Sequence, residues 1–322
     1  MEKAIREFSQ QFTFTPEIER ADALPDTYRT IVVVGMGGSH LNGDVLKALD
    51  PELPLIIHSD YGLPNLPHEE MQEALFVIAS YSGNTEEVLD ALEQVHKNEY
   101  NAAALSTGGK LKERAAELGI PFVAMPDIGI QPRSALGFST IALAHLLGRE
   151  RVLRELKDLS GTLDAENIHI EGEVFAGKIS GYVPLIYTSR RNHALAYNWK
   201  IKFNETAKIP SFCNVLPELN HNEMTGFDVV DSTRPLAAQF AVIFLMDDED
   251  DERIQNRMRV TQEIYANQGV TTHTRLLAGE SRAERLFSSL LFADWTALML
   301  SEMYGTEPEE VPLVEEFKRK IS

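Results

Sequence analysis

Short apolar, β-branched runs alternate along the chain with longer stretches whose apolar residues recur at helical spacing, the pattern of βαβ units around a parallel sheet. In the first half it predicts strands at Thr30 to Gly35, Leu55 to His58, Leu75 to Ser80, Ala102 to Ser106 and Phe122 to Met125, with helices between them. A long closing helix is expected from Pro132 to Leu147, with Pro132 suited to the first turn and Leu136, Ile141 and Ala144 on apolar positions. The second half repeats the scheme more sparsely. Strands are expected at Val183 to Thr188, Phe240 to Met246 and Val270 to Leu277, and helices at Asn192 to Phe203, Glu252 to Asn267 and Glu280 to Tyr304. The fold class expected is therefore α/β: two doubly wound domains with parallel-sheet cores, residues 1–150 and 151–322, the second a diverged copy of the first.

Composition narrows the function. The chain has 322 residues, with 30 Lys and Arg against 49 Asp and Glu, a net charge of −19 that repels a nucleic-acid backbone. No nucleic-acid partner is expected, and any phosphorylated ligand must be caught by local backbone N–H groups, hydroxyls and a few placed cations. Cys213 is the single cysteine, which excludes an internal disulfide and a Cys-based zinc cluster and fits a reducing cytoplasm. The first residues lack a basic start followed by an apolar run, and no stretch reaches ~18 uninterrupted apolar residues, so neither export nor a membrane is expected.

Two turns carry candidate chemistry. After Ile31 to Val34 comes GMGGSHLNGD, with Gly35, Gly37, Gly38 and Ser39 at the start of a helix, and after the strand ending at Ser80 comes YSGNTEEVLDAL, with Ser82, Gly83, Asn84 and Thr85. Both are strand C-termini, which in an open parallel sheet face one crevice, so the two can converge on one phosphate. Taken alone, each has a structural reading: a tight turn with an N-cap serine, and a capping box of Asn84 with Glu87. A dinucleotide is the rival ligand, with Asp60 ending the next strand, but the fingerprint fails at position 40, where His40 replaces the third glycine.

Between Trp199 and Met224 runs a dense polar stretch where the second half is expected to build loops. Glu205 and His221 are its candidates for abstracting a proton beside a carbonyl, which needs a carboxylate or imidazole tuned toward working pH. Spacing by itself favours a solvated helix-end carboxylate for Glu205, and a solvated imidazole for His221, over catalysis. Asp247 to Glu252, DDEDDE, is expected to be a solvated helix start rather than a metal site. His193 is read as structural, and Tyr197 and Trp199 as core or interface aromatics.

The motifs GMGGS, YSGNTEE, QPRSALG, NETAK and PELNHNE occur in one order from Gly35 onward, and together they resemble the bifunctional phosphoglucose/phosphomannose isomerase family, whose members carry two sugar-isomerase domains. The resemblance implies that Gly37, Gly38, Ser39, Ser80, Ser82 and Thr85 bind the sugar phosphate and that Arg133 steadies an enediolate. Glu205 would move the proton between C2 and C1, making the enzyme an intramolecular oxidoreductase that needs no metal or nucleotide cofactor. The residue matching His221 opens the sugar ring from the neighbouring subunit, which implies a homodimer, and Lys318 matches a C-terminal lysine that serves ring opening. Two departures stand out. Val311 replaces a Thr expected before the Pro of the last segment, which puts mannose 6-phosphate in more doubt than glucose 6-phosphate, and His40 and Asn42 follow GMGGS where smaller residues are expected. Two alternatives stay open: a non-catalytic sugar-phosphate sensor, and a dinucleotide-dependent oxidoreductase.

Overall fold

The computed structural model describes residues 1–321, which divide into two compact units: Glu7–Thr162, and Leu163 onward together with Met1–Arg6. In the first unit six strands form one sheet: β1 (Ile18–Glu19), β2 (Thr30–Val34), β3 (Leu55–His58), β4 (Ala74–Ala79), β5 (Asn101–Ser106) and β6 (Phe122–Ala124). Their order is β1-β6-β5-β4-β2-β3, all parallel except the short β1 against β6. The centre reads as continuous apolar runs because it is covered on both faces: every residue of β2 and β4 is buried. The helix Glu150–Thr162 completes this unit, burying Val152, Leu153, Leu156 and Leu159 at i, i+3, i+4 spacing.

The second unit has four parallel strands, β7 (Val183–Ser189), β8 (Phe212–Leu216), β9 (Phe240–Met246) and β10 (Thr271–Leu276), ordered β10-β9-β7-β8. In both sheets the first long parallel strand lies between the second and the third, so each reverses winding direction at that strand. Two doubly wound α/β domains are thus present, the second a shorter copy of the first. Trp199 is fully buried, stacked on Phe292 with ring centroids 5.5 Å apart, and its indole N–H donates to Ser289 Oγ at 3.1 Å.

The pattern of apolar positions misses several elements. β8 lies inside the polar stretch expected to be loop, because on an edge strand only Val215 and Leu216 are buried and no alternation shows. The helices Ala165–Ile179 and Pro312–Ile321 are also additional, and the expected closing helix begins instead as a separate turn, Pro132–Ser134, before Leu136–Leu146. Among the described residues no helix is long and apolar enough to cross a membrane.

Candidate active site

In the first sheet the winding reverses between β2 and β4, where the ends of adjacent strands diverge and leave a crevice. Val34 is in register with Ile78, so the turns after the two strands start level with each other. They are joined directly: the Tyr81 N–H donates to Ser39 Oγ at 2.9 Å. Gly35 and Gly38 allow this approach. A Cβ on Gly35 would lie 3.0 Å from the Ala79 carbonyl oxygen, and one on Gly38 would lie 3.0 Å from Pro132 Cβ and 3.1 Å from the Arg133 nitrogen. Gly37, Gly38 and Ser39 are thereby gathered against the turn that carries Arg133, a residue 2% exposed.

Ser80 and Thr85 share a hydrogen bond of 2.8 Å between their hydroxyls, and the Gly83 N–H donates to Ser80 Oγ at 3.1 Å. The capping box of Asn84 and Glu87, the structural alternative for this turn, does not form. Thr85 is the N-cap residue, and the Asn84 side chain instead accepts from the Lys110 N–H at 3.2 Å and donates to the Ser82 carbonyl at 3.1 Å. Among the described residues no side chain caps the helix Glu86–Lys97, so first-turn N–H groups there can face an anion, whereas at the helix Leu41–Leu49 the Gly43 N–H already donates to Asn42 Oδ1 at 2.6 Å. Burial, helped by Asp127, pushes the Tyr81 phenol up to about 12, so it stays protonated at neutral pH.

A third turn, which the motif reading passed over, braces the second. Thr107 donates to the Tyr81 carbonyl with both its N–H and its hydroxyl, each at 2.9 Å. Gly83 has φ +71, and a Cβ there would fall 1.9 Å from the Gly108 carbonyl oxygen. The signal was present in the sequence: Ser106 to Lys110, STGGK, is another glycine turn at a strand end. His40 is buried with Nδ1 2.8 Å from Asp44 Oδ2, filling the place where a dinucleotide fingerprint needs a glycine.

The corresponding reversal in the second sheet, between β7 and β9, is filled by protein. Ser189 Oγ donates to Asp250 at 2.8 Å, the Asn192 amide to Asp247 at 3.1 Å, and Arg282 to Asp247 at 2.7 Å and to Asn192 Oδ1 at 2.6 Å. Asp247 is 1% exposed and Asp250 is buried, which corrects the solvated reading for these two, while Asp248, Glu249, Asp251 and Glu252 are exposed and Asp251 caps the helix Glu252–Asn267 as expected of a solvated helix start. Burial works against the Asp247 charge, but the Glu249 N–H, Asn192 and Arg282 hold its carboxyl below the usual range. Burial, with Asp247 beside it, raises Asp250. Only arginines supplied from elsewhere in the chain make such burial affordable, and neither spacing nor composition shows them. Among the described residues no group of acids, His or Cys has metal-binding geometry.

Glu205 is the last residue of the helix His193–Glu205 and is half-buried. The helix stops there because Lys208 adopts φ +60 and the chain folds back, with the Asn204 amide donating to the Ile209 carbonyl at 2.9 Å. This turn and the segment after Tyr304 line one groove of about 680 Å³, whose walls include Glu205, Lys208, Pro210, Thr306, Val311 and Leu313. Glu205 and Val311 are thus brought together. Lys318 lies on the exposed helix Pro312–Ile321, paired with Glu315 at 2.8 Å, and does not line the groove. His221 ends the short turn Glu218–His221 and is exposed. His193 stacks on Tyr197, ring centroids 6.1 Å apart. Burial pushes the Cys213 thiol up, away from nucleophilic use.

Two doubly wound units, the first with glycine- and hydroxyl-rich turns at its reversal and the second with its reversal filled by ion pairs, make the chain a two-domain doubly wound α/β protein. Residues 168–321 match the model of the bacterial phospho-glucose isomerase C-terminal SIS domain. The chain is 32% identical to the bifunctional phosphoglucose/phosphomannose isomerase of Thermoplasma volcanium, over 92% of each chain. It is also 32% identical to the protein of that name from Aquifex aeolicus, over 99% of this chain and 97% of the other. The C-terminal domain of glucosamine-fructose-6-phosphate aminotransferase from Francisella tularensis shares the fold, with a TM-score of 0.71 at 15% identity, covering 96% of this chain and 97% of that one. The chain belongs to the bifunctional phosphoglucose/phosphomannose isomerase family.

Proposed function

We propose that the protein is an aldose-ketose isomerase that interconverts glucose 6-phosphate and fructose 6-phosphate and also accepts mannose 6-phosphate. The observation that carries the reading is the joined pair of turns at the β2 and β4 reversal, where Ser39 Oγ accepts from the Tyr81 N–H. Hydroxyls of Ser80, Ser82 and Thr85, with the uncapped start of the helix Glu86–Lys97, suit a phosphate monoester in a chain whose net charge is −19. Glu205 is the base: it takes the proton from C2 of the open-chain aldose and returns it to C1 through a cis-enediol. The aldehyde carbon is reduced as C2 is oxidised, which makes the reaction an intramolecular oxidoreduction with no external electron carrier. Arg133 supplies positive charge to the enediolate oxygens, and Lys318 assists at the ring oxygen.

His221 is the ring-opening group, and its exposure supports the reading that it serves the site of a second copy of the chain, so that the working unit is a homodimer. Mixing Glu205→Gln with His221→Ala chains should then restore part of the activity each lacks alone, since some hybrid sites carry both native residues. Mixtures no more active than their components would count against shared sites.

A coupled assay for fructose 6-phosphate conversion to glucose 6-phosphate tests the function. A folded protein that binds the sugar phosphate without turning it over would be a sensor instead. Val311 lines the same groove as Glu205, which makes it the residue to probe for epimer choice. The wild type is expected to prefer glucose 6-phosphate over mannose 6-phosphate in kcat/KM, and Val311→Thr to narrow that ratio by about 2- to 10-fold, the effect of one hydrogen bond. An unchanged ratio would remove Val311 from the account.

A further inference from the structure

The turn that carries His221 is held at both ends by apolar side chains and in the middle by one carboxylate. Leu219 and Phe227 are buried in the core formed around β7 and β9, with Phe227 4.7 Å from Tyr265 between ring centroids. Between them the chain is irregular, and Asn222 links two short turns with φ −142 and ψ −71. On the His221 side the Asn220 amide donates to Thr261 Oγ1 at 2.9 Å. On the other side the Glu223 carboxylate takes one hydrogen bond on each oxygen: the Tyr187 hydroxyl donates to Oε1 and the Asn214 amide to Oε2, both at 2.5 Å. Tyr187 comes from β7 and Asn214 from the adjacent β8, facing each other in register. One acidic side chain two residues from an exposed imidazole is therefore bolted to two neighbouring strands.

We propose that Glu223 is a positioning residue that fixes the reach and orientation of His221. The inference rests on the ring-opening role proposed for His221. Burial, with Tyr265 and Glu223 beside it, pushes the Tyr187 phenol far above its ordinary value, so it remains a donor throughout the working range. The carboxylate is the one side chain of that length able to accept from both donors at once. In Glu223→Gln only one oxygen remains, so either the new N–H₂ meets the Asn214 N–H₂, donor against donor, or the Tyr187 hydroxyl must reverse from donor to acceptor; both disturb the clamp.

Glu223→Gln should lower kcat by about 10- to 100-fold, with a smaller change in KM, as expected when a reacting group is misplaced rather than a binding contact removed. Asn214→Asp should also impair, by setting a second carboxylate against Glu223. The double variant Glu223→Gln with Asn214→Asp restores donor-to-acceptor pairing and should recover kcat to within about threefold of wild type. In a His221→Ala background, Glu223→Gln should cost less than about twofold, because nothing remains for it to position. Tyr187→Phe, which leaves the Asn214 bond intact, gives a milder probe if Glu223→Gln folds poorly, and it should show the same dependence on His221. The proposal is overturned by wild-type kcat in Glu223→Gln, by an unrescued double variant, or by equal losses in both backgrounds. A fully active His221→Ala would sink the ring-opening role and the clamp together, whereas an impaired His221→Ala beside an unimpaired Glu223→Gln would sink the clamp alone.

Discussion

Glu205→Gln is expected to lower kcat by about 10²- to 10⁴-fold, the usual share of a positioned acid or base, with KM changed little. The amide keeps the shape of the side chain and loses its ability to take a proton. Structurally the substitution is mild, since Glu205 ends its helix and borders an open groove rather than a packed core. A wild-type unfolding midpoint together with lost turnover of fructose 6-phosphate would tie the loss to chemistry. Full activity in the variant would rule out Glu205 as the base. Because phosphate capture is assigned to a different unit, binding of a non-reacting sugar phosphate should survive the change.

The largest effect on stability is expected one turn earlier on the same helix. Lys202 is 2% exposed and donates from Nζ to Asp294 Oδ1 at 2.6 Å, tying the Glu205 helix to the helix Arg282–Tyr304. Lys202→Met removes the ammonium from a buried carboxylate and should cost about 3–5 kcal/mol of unfolding free energy, measured in denaturant. Replacing both partners, as Lys202→Met with Asp294→Leu, should recover most of that loss, because the buried charges then leave together. A single variant within about 0.5 kcal/mol of wild type would show that the pair contributes little, as exposed pairs do. Kinetics on the double variant add a further reading: if the ion pair also sets the position of Glu205, kcat stays reduced after stability returns.

Much of the first unit was legible in order and type because its central strands are buried on both faces and so read as unbroken apolar runs, such as Ile31 to Val34 and Leu75 to Ala79. Edge elements were not. β8 buries only two of its five residues, and the helix Pro312–Ile321 buries none, so neither imposes an apolar period strong enough to stand out from a polar surrounding. Asp247 and Asp250, the two buried members of the acidic run, were misread for a related reason. Charge counted along the chain says solvent, while in space Asn192, Arg282 and Arg285 surround the carboxylate.

Local sequence determined which turns can hold an anion, because glycine, hydroxyl and helix-start chemistry are properties of a few adjacent residues at strand ends. It also determined the doubly wound class, through the alternation of strand and helix periods. Tertiary structure decided how the two reversals differ: the strand order around them is the same, but at the second Arg282, from a distant helix, joins Asn192, Asp247 and Ser189 with Asp250 in a network that fills it. Tertiary structure likewise joined Ser39 to the second turn, set Val311 in the same groove as Glu205, and bolted the His221 turn to two strands through Glu223. Each of these depends on strand order and register, which place residues tens of positions apart within hydrogen-bond reach and leave no trace in local spacing.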